Sequence, residues 1–493
     1  MRFRSFGRSS WCPTQSAEVS VYFDTDKQTL RKKGLMLRVR RKGGRYIQTI
    51  KASTNSGPFE RDEWETEIAG KEPDLSQADG TALEPLLSHK LRRRLKPLFE
   101  TRVRRMVYPV VDEAHAIALT VDRGTLDTGS RSLPLCEIEL ELDRGTVAEL
   151  FDVARQLVQA LPARLALKSK SERGYEIIDG ELETPVKATP IDLPAGASAR
   201  DAFKMIGLGC LKQIINNDAA LIKGDPEGVH QMRVGLRRLR AAMSLFAVLL
   251  RDPQTAAIKA ELKWLAGELG PARELEVLVN RVAAPVKSQR RRWAGMPSLS
   301  HELAERRDAA LTRAQDAVKS DRFRALTLDT AAWLLGGLWT NPRDDLVRDR
   351  GALPIGVFAA EQLTRRSRKV RKKGRALAQL DARSRHQLRI QAKKLRYAAE
   401  FFASLFARKR AMKRRKQFID ALGRLQDGLG DLNDIVVHEK HIAAIGIPRQ
   451  RSNPSRAFAA GLLTGLENAR IEATMTVATE AYAGFGKVKP FWR

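Results

Sequence analysis

Between residues 18 and 145, apolar and polar side chains alternate in short runs that are separated by glycine-containing turns. A period of two is typical of antiparallel strands with one buried face. Two stretches, Thr81–Lys96 and Thr146–Leu161, have helical periodicity instead, so we predict an α+β domain. The alternating segments predict strands at Val19–Phe23, Leu35–Arg41, Tyr46–Lys51, Glu63–Ile68, Ala116–Asp122 and Cys136–Leu142.

From Ala199 onward, apolar residues recur about every 3.6 positions, which is typical of helices buried on one face. The preceding segment contains Pro185, Pro190 and Pro194 and is typical of a linker. We therefore predict a strand-rich domain at residues 1–180, a linker at 181–198 and an all-α domain at 199–493.

The helical region contains an internal repeat. The sequence HQMRV at residues 230–234 is similar to HQLRI at 386–390, which lies 156 positions later (386 − 230). A second pair, LGPARE at 269–274 and LGDLND at 429–434, is separated by 160 positions (430 − 270). Two matched blocks in the same order predict two copies of a helical bundle, at about 199–340 and 355–493, related by a pseudo-two-fold axis.

Each copy places cations along one face of a helix, at about 100° per residue, and apolar residues along the opposite face. Like charges one turn apart repel each other, which favours an anionic ligand, although a solvated basic face remains the alternative. Arginine offers paired donors to phosphate oxygens, and lysine offers a point charge. The candidate residues are His230, Arg233, Arg237 and Arg240 in the first copy and His386, Arg389, Lys393 and Arg396 in the second.

Composition narrows the class of partner. Lys and Arg number 88 against 58 Asp and Glu, a formal net charge of +30, which implies a polyanion such as a nucleic acid, an anionic membrane or a phosphate polymer. Aromatic residues are only 6%, and few lie among the cations as stacking platforms for bases would. No apolar run is long enough to span a bilayer. Two further basic runs, 365–375 and 408–416, are dense but unspecific, and we expect 408–416 to be loop-like.

The paired H-x-x-R blocks, with the L-G-x-x-[RN]-[DE] blocks after them, resemble the CHAD family from about Ala199 to the C-terminus. This resemblance implies an all-helical domain that binds inorganic polyphosphate along a basic surface. Nucleic acid is the less favoured partner, and no membrane partner is expected. The three cysteines, Cys12, Cys136 and Cys210, are odd in number and far apart, which favours a reducing compartment, so we expect a cytoplasmic protein, associated with polyphosphate granules if it binds that polymer.

Charged residues also alternate within the predicted strands. Glu137, Glu139 and Glu141 share one face of a strand, while Arg38 and Arg40 share a face of another. Two interpretations remain open: a sheet with one solvated face, or a closed barrel whose charged interior surrounds a charged ligand.

The order of motifs from Val19 to Gly180 resembles the CYTH family of triphosphate tunnel enzymes. The motifs include VYFDT at 21–25, R-x-R-R at 102–105, DRG at 122–124 and the glutamate strand at 137–141. The resemblance implies an antiparallel tunnel barrel, phosphate-binding cations and carboxylates that hold Mg²⁺ or Mn²⁺. Carried over, the phosphate candidates are Arg38, Arg40, Lys51, Arg102, Arg104 and Lys168, and the metal candidates are Glu137, Glu139 and Glu141.

The family's first strand carries E-x-E-x-K, and no such motif precedes Val19. We therefore expect an incomplete barrel with part of its metal site absent and impaired hydrolysis. The favoured hypothesis is a polyphosphate-binding protein with a domain related to metal-dependent inorganic triphosphatases. The alternatives are an active inorganic triphosphatase acting on triphosphate or polyphosphate, and a nucleic-acid-binding protein.

Overall fold

The computed structural model describes residues 13–53, 61–280, 295–446 and 454–492. Cα proximity divides this part of the chain into two compact units. The first comprises residues 13–184 and 327–336, and the second comprises 185–326 and 337–492. No helix in these residues is both long enough and apolar enough to cross a bilayer.

The first unit is built on one antiparallel sheet of seven strands in the order β4-β3-β2-β1-β5-β6-β7. Among the described residues, β4 and β7 are its two edges. Four helices accompany it: α1 (Thr29–Lys32), α2 (His89–Arg92), α3 (Val147–Ala160) and α4 (Lys170–Asp179). The strands are β1 (Thr14–Asp24), β2 (Leu35–Lys42), β3 (Arg45–Ser53), β4 (Arg61–Ile68), β5 (Lys96–Val111), β6 (Ala116–Asp127) and β7 (Ser132–Arg144).

The six predicted strands are present, but the helix predicted at Thr81–Lys96 is wrong. That stretch forms a short 3₁₀ turn at Glu84–Leu86 and then α2. Ser88 is extended and caps α2 by accepting a hydrogen bond from the Leu91 backbone N–H, so the chain cannot continue as one helix. Lys96 already pairs with β1.

Asp24 joins the end of β1 to the helices that cover the sheet. Its side chain is fully buried and accepts hydrogen bonds from the backbone N–H groups of Thr25, Leu30 and Arg31, at 2.7–3.0 Å. The Tyr175 hydroxyl of α4 donates a further bond of 3.0 Å. The aspartate of the VYFDT motif therefore has a structural role, because it satisfies several buried donors at once.

The second unit is helical. Short 3₁₀ turns occur at Leu338–Thr340, Leu377–Gln379 and Ser404–Phe406. Of helix α10 (Asp321–Gly336), residues 321–326 belong to the second unit and residues 327–336 to the first. The other helices are α5 (Ala199–Ile215), α6 (Asp218–Ile222), α7 (Pro226–Leu245), α8 (Pro253–Leu278), α9 (Met296–Lys319), α11 (Asp345–Ala352), α12 (Ile355–Lys373), α13 (Ala382–Phe401), α14 (Lys409–Gly446), α15 (Pro454–Ala469) and α16 (Ile471–Lys487).

The two repeat blocks occupy matching positions in two helix pairs. Helices α7 and α13 each contain 20 residues, are capped by Asp225 and Asp381, and are followed at the C-cap by Phe246 and Phe402. The second block of each copy lies in the next long helix, α8 or α14. The predicted apolar stripes are buried: Met232, Leu236, Leu239 and Met243 in α7, and Leu388 and Leu395 in α13.

The basic run 408–416 is not loop-like, because helix α14 begins at Lys409 and extends through it. Charge density alone suggested a loop, but this run contains neither glycine nor proline to end a helix.

Candidate functional sites

One face of the sheet carries charged side chains from all seven strands. Cross-strand partners share a face: Ser20 lies opposite Arg40, and a neighbouring row across β2 to β4 runs from Arg38 through Thr49 to Glu65. The pairs Arg105–Asp122 and Asp122–Glu137 continue on the same face across β5 to β7. This face also carries Glu18, whose side chain is 1% exposed.

Glu18 is the acid at the middle of the cationic group. Its carboxylate lies 3.4 Å from Arg40, 3.6 Å from Lys42 and 3.8 Å from Arg105. Arg38 is buried beside them and donates a 2.9 Å hydrogen bond to Thr49, while its Nε has no partner in the described structure. Burial, followed by the charge of Arg38, lowers the pKa of Arg40. Arg38 also forms an ion pair with Glu65 at 3.4 Å, and Arg105 forms one with Asp122 at 2.6 Å, so cations and acids alternate on this face.

Three carboxylates form a compact group beside these cations. Ligand oxygens of Asp122, Glu137 and Glu139 lie within 4.8 Å of one another. The ammonium of Lys170, from α4, lies 2.9 Å from Asp122, 2.5 Å from Glu137 and 2.6 Å from Glu139. Arg173, one turn later, forms an ion pair with Glu137.

The electrostatics keep two of these carboxylates, Asp122 and Glu139, ionised. Burial raises the pKa of Asp122, yet the hydrogen bond from Arg105 and the charge of Lys170 outweigh burial and hold that pKa below its usual range. Burial also raises the pKa of Glu139, but the nearby charges of Lys170 and Arg105 outweigh burial and lower that pKa. Arg105 has its pKa raised, chiefly by its hydrogen bond to Asp122.

Hard divalent cations such as Mg²⁺ and Mn²⁺ prefer carboxylate oxygens, so Asp122, Glu137 and Glu139 fit such an ion by donor type. The ammonium of Lys170 lies among the same oxygens and would compete with it. Glu141 is farther along β7, where its cross-strand partner is Ala118, and it is outside this group.

The remaining tunnel candidates are dispersed. Lys51 shares the charged face and forms an ion pair with Glu63 at 2.7 Å. Arg102 and Arg104 lie on the opposite face, since their cross-strand partners are Thr125 and Arg123. Lys168 forms an ion pair with Glu176 of α4 at 2.8 Å.

Sequence reasoning left four residues of this face out of the candidate set: Glu18, Arg105, Asp122 and Lys170. Arg105 and Asp122 belong to the motifs R-x-R-R and DRG, and Lys170 lies two positions after the candidate Lys168 in the segment KSKSERGY at 168–175, so motif membership could have found these three. Their shared face depends on cross-strand register, which the sequence does not specify.

In the helical unit, α7 and α13 bring Arg233, Arg237, Arg389 and Lys393 together. The charges of Arg233, Arg237 and Arg389 all act on Lys393. Burial and these neighbours outweigh the attraction of Asp434 and lower the pKa of Lys393 to about 7. Burial also lowers the pKa of Arg233 to about 10. We call these four side chains the paired-helix site.

The second repeat block explains how these arginines are held. A Cβ added at Gly270 would lie 3.1 Å from Arg233 Nη1, so the glycine lets the guanidinium lie against α8. Glu274, one turn later, forms a 3.7 Å ion pair with Arg233. Arg389 lies over Gly430 and has the equivalent 3.7 Å ion pair with Asp434. The L-G-x-x-[RN]-[DE] pattern therefore positions an arginine from the preceding repeat block.

The other helical candidates lie at the margin of the site. His230 is half-buried, and burial followed by the charge of Arg273 lowers its pKa. His386 Nδ1 lies 2.6 Å from the Asn433 side-chain oxygen. Arg240 is exposed, whereas Arg396 donates to Glu400 at 2.8 Å.

Known proteins show the same two regions. The CHAD domain family matches residues 206–443. The crystal structure of the CHAD domain from the plant Ricinus communis is 30% identical, with a TM-score of 0.53, and the match covers 62% of this chain and 98% of that one. The chain belongs to the CHAD family. Its residues 13–175 match the CYTH domain family, so a CYTH domain precedes the CHAD domain.

Two more distant structures are also similar. PptA from Streptomyces chartreusis is 18% identical, with a TM-score of 0.40, and covers 58% of this chain and 100% of its own. The PH1819 protein from Pyrococcus horikoshii is 19% identical, with a TM-score of 0.23, and covers 34% and 88% respectively.

Proposed function

We propose that this CYTH–CHAD protein binds inorganic polyphosphate at the paired-helix site. The observation that carries this proposal is the convergence of Arg233, Arg237, Arg389 and Lys393 from two helices at one place. The nearby acids Glu274 and Asp434 each form an ion pair with an arginine, which leaves the group with a cationic excess.

The donors in this group are incompletely satisfied. The Nε atoms of Arg233, Arg237 and Arg389 are buried and have no hydrogen-bond partner within the described residues. A buried unpaired donor costs about 1–3 kcal/mol, and more when it is charged. A phosphate chain would supply closely spaced anionic oxygens, and arginine binds these in paired hydrogen bonds.

Recognition by the two helices also fits a polymer. Helical positions one turn apart are separated by about 5.4 Å, so cations one turn apart can each contact a different phosphate along an extended chain. We interpret α7–α8 and α13–α14 as repeated units that each contribute one arginine and one supporting glycine, with the partner acid one turn after the glycine.

The first prediction is that Arg233→Gln combined with Arg389→Gln weakens binding of long-chain polyphosphate at least about tenfold. Each lost charge-assisted hydrogen bond contributes about 1.5 kcal/mol or more, and about 1.4 kcal/mol corresponds to a factor of ten in affinity. Isothermal titration calorimetry on the full chain measures the change.

The matched control is Arg410→Gln with Lys416→Gln, which removes the same charge from exposed positions of α14. Circular dichroism checks that each variant is folded. An equal loss of affinity in both double variants would contradict the proposal, because total charge would then govern binding.

A second candidate function is metal-dependent hydrolysis of triphosphate on the charged face of the sheet. The observation that favours it is the group Asp122, Glu137 and Glu139 next to the cations Arg40 and Arg105. A bound Mg²⁺ or Mn²⁺ would polarise a phosphoryl oxygen and activate water. The protein's cations would hold the remaining phosphate charge.

The second prediction follows from Lys170, whose ammonium lies among the same three carboxylates. We expect release of phosphate from tripolyphosphate to be slow with Mn²⁺, and Glu139→Gln to abolish what remains. Glu141→Gln is the control, since Glu141 lies outside the carboxylate group. Metal-independent release, or equal loss in both variants, would exclude this site as the source of the activity.

A further inference from the structure

A surface cavity of about 480 Å³, open to solvent, lies between α14 and the end of α16. Helix α14 contributes one face over nearly three turns, and the other wall begins at Lys487, the last residue of α16. The lining residues are Arg414, Gln417, Asp420, Arg424, Lys487, Val488 and Lys489.

The charge of this lining is unbalanced. Four of its side chains are cationic and only Asp420 is anionic. Within the described part of the chain, none of these five charged groups forms an ion pair. Asp420 offsets one of the four cations, so the lining keeps a net positive charge that attracts an anion, although Arg424, Lys487 and Lys489 are exposed to solvent.

The walls of the cavity are rigid. Phe418 of α14 packs against Phe485 of α16 and Trp492, with ring centroids 5.4 and 5.1 Å apart. The Trp492 indole N–H donates a 2.9 Å hydrogen bond to Thr364. The lining segment after α16 is therefore anchored on both sides, so its lysines are presented by ordered backbone.

A helix C-terminus normally repels anions, because its last carbonyl groups carry partial negative charge. Here Arg371 of α12 donates hydrogen bonds to the carbonyl oxygens of Gly486, at 2.5 Å, and Val488, at 2.9 Å. This guanidinium offsets the negative end of α16 next to Lys487 and Lys489. The local field at the cavity is consequently favourable to an anion.

The cavity is on the side of α14 that points away from the paired-helix site. Gln426 faces α13, because its side-chain N–H donates a 2.8 Å bond to the Ala392 carbonyl oxygen. Gln417 is nine positions earlier, which is about 180° around the helix at ~100° per residue. A ligand bound in the cavity is therefore separate from a ligand bound at the paired-helix site.

We propose that this cavity is a second anion site, which binds a compact, multiply charged phosphate group about the size of a triphosphate. Its volume is in the range of about 300–1,000 Å³ that is common for small-molecule sites. Its lining contains no aromatic side chain and only Val488 as an apolar one, so it offers no platform for a nucleotide base. The group recognised is the phosphate itself, either as a free short chain or as the end of a long one.

The test uses the full chain and tripolyphosphate in isothermal titration calorimetry. Arg414→Ser with Arg424→Ser should remove one class of binding site, while Arg233→Gln with Arg389→Gln should leave that class intact. Arg410→Ser with Lys416→Ser removes the same charge from α14 outside the cavity and should also leave it intact. The Arg233→Gln/Arg389→Gln variant tests the paired-helix proposal, and the Arg414→Ser/Arg424→Ser variant tests the cavity. Each proposal can therefore fail without the other.

Competition identifies the source of the phosphate. Displacement of tripolyphosphate from the cavity by long-chain polyphosphate assigns the site to chain ends, and no displacement assigns it to short free phosphates; either result supports the site.

If ATP binds the cavity more tightly than tripolyphosphate, the inference about ligand class is overturned. If the cavity variant and its charge-matched control behave alike, the site itself is overturned. Thermal unfolding of each variant confirms that it is folded.

Discussion

Lys393 lies among the cations that α7 and α13 bring together. Arg389 is one turn away on its own helix, and Arg237 and Arg233 act on Lys393 from α7, against the opposing charge of Asp434. Burial and these neighbours lower its pKa to about 7. In the free protein Lys393 is therefore partly neutral at physiological pH.

The third prediction concerns the pH dependence of binding. A bound polyanion favours the charged ammonium, so binding takes up a proton whenever Lys393 is neutral in the free protein. Below pH about 7 this lysine is already protonated and contributes no dependence. Above pH about 7, the affinity for long-chain polyphosphate should fall as pH rises, by up to about tenfold per pH unit for one coupled proton.

The measurement is calorimetric affinity between pH 7 and pH 8.5, where the His230 imidazole, whose pKa is lowered, stays neutral and Arg233, with a pKa of about 10, stays charged. Lys393→Arg keeps the charge and should flatten the profile, because guanidinium resists deprotonation. Lys372→Arg, at an exposed position of α12, should leave the profile unchanged. A profile that is identical in all three proteins would exclude Lys393 as the titrating group.

Single residues also show how far the sequence could specify the sheet site. The R-x-R-R motif has cations on both faces of β5, so a period of two could not identify Arg105, rather than Arg102 or Arg104, as the one beside Asp122. Glu18 precedes the predicted first strand, whereas β1 begins at Thr14 and places Glu18 in its interior. Both differences arise from strand register and strand length, which depend on neighbouring strands.

At the scale of elements, the contact between β5 and β6 depends on Gly124. A Cβ added at this position would lie 1.8 Å from the Arg102 carbonyl oxygen and 2.8 Å from Val103 Cα. These are backbone atoms of the paired strand, so no side-chain rotation can relieve the overlap. The glycine of the DRG motif therefore lets β5 and β6 approach and keeps Asp122 opposite Arg105.

The fourth prediction is that Gly124→Ala destabilises the sheet by about 2 kcal/mol or more, because overpacking against fixed backbone forces the strands apart. Gly70→Ala is the control, since a Cβ there has nothing within 4 Å. Thermal unfolding followed by circular dichroism measures both. If the two variants unfold at the same temperature, the close approach of the strands is not needed for stability.

The helical elements were easier to predict than the short helices of the first unit. The stripes of α7 and α13 repeat over five turns, and burial of Leu236 and Leu395 follows from that periodicity. The stretch before β5 has helix-forming residues, but Ser88 and the pairing of Lys96 with Asp24 interrupt it. Tertiary pairing overrides local preference where a segment is short.

Across the whole molecule, the net charge of +30 will attract any polyanion, so charge alone cannot select polyphosphate. Selectivity has to come from shape. The Arg233 and Arg389 side chains are only 19% and 18% exposed, recessed between α7 and α13 and the helices that follow them. A single phosphate chain is thin enough to enter such a site, whereas a duplex carries its phosphates on a wide, stiff cylinder.

The fifth prediction uses this difference in access. Binding of both polyphosphate and duplex DNA to the full chain should weaken with added salt, because neutralised polyanions release counterions. Arg233→Gln with Arg389→Gln should weaken polyphosphate binding at least about tenfold, as two charge-assisted contacts are lost, and leave DNA binding nearly unchanged. DNA should instead respond to Arg410→Gln with Lys416→Gln, since these cations are exposed. Fluorescence anisotropy with labelled DNA measures the affinity for DNA, and isothermal titration calorimetry measures the affinity for polyphosphate. A parallel loss of DNA and polyphosphate binding in the first variant would mean that the recessed arginines do not discriminate, and the paired-helix site would then be a general polyanion surface.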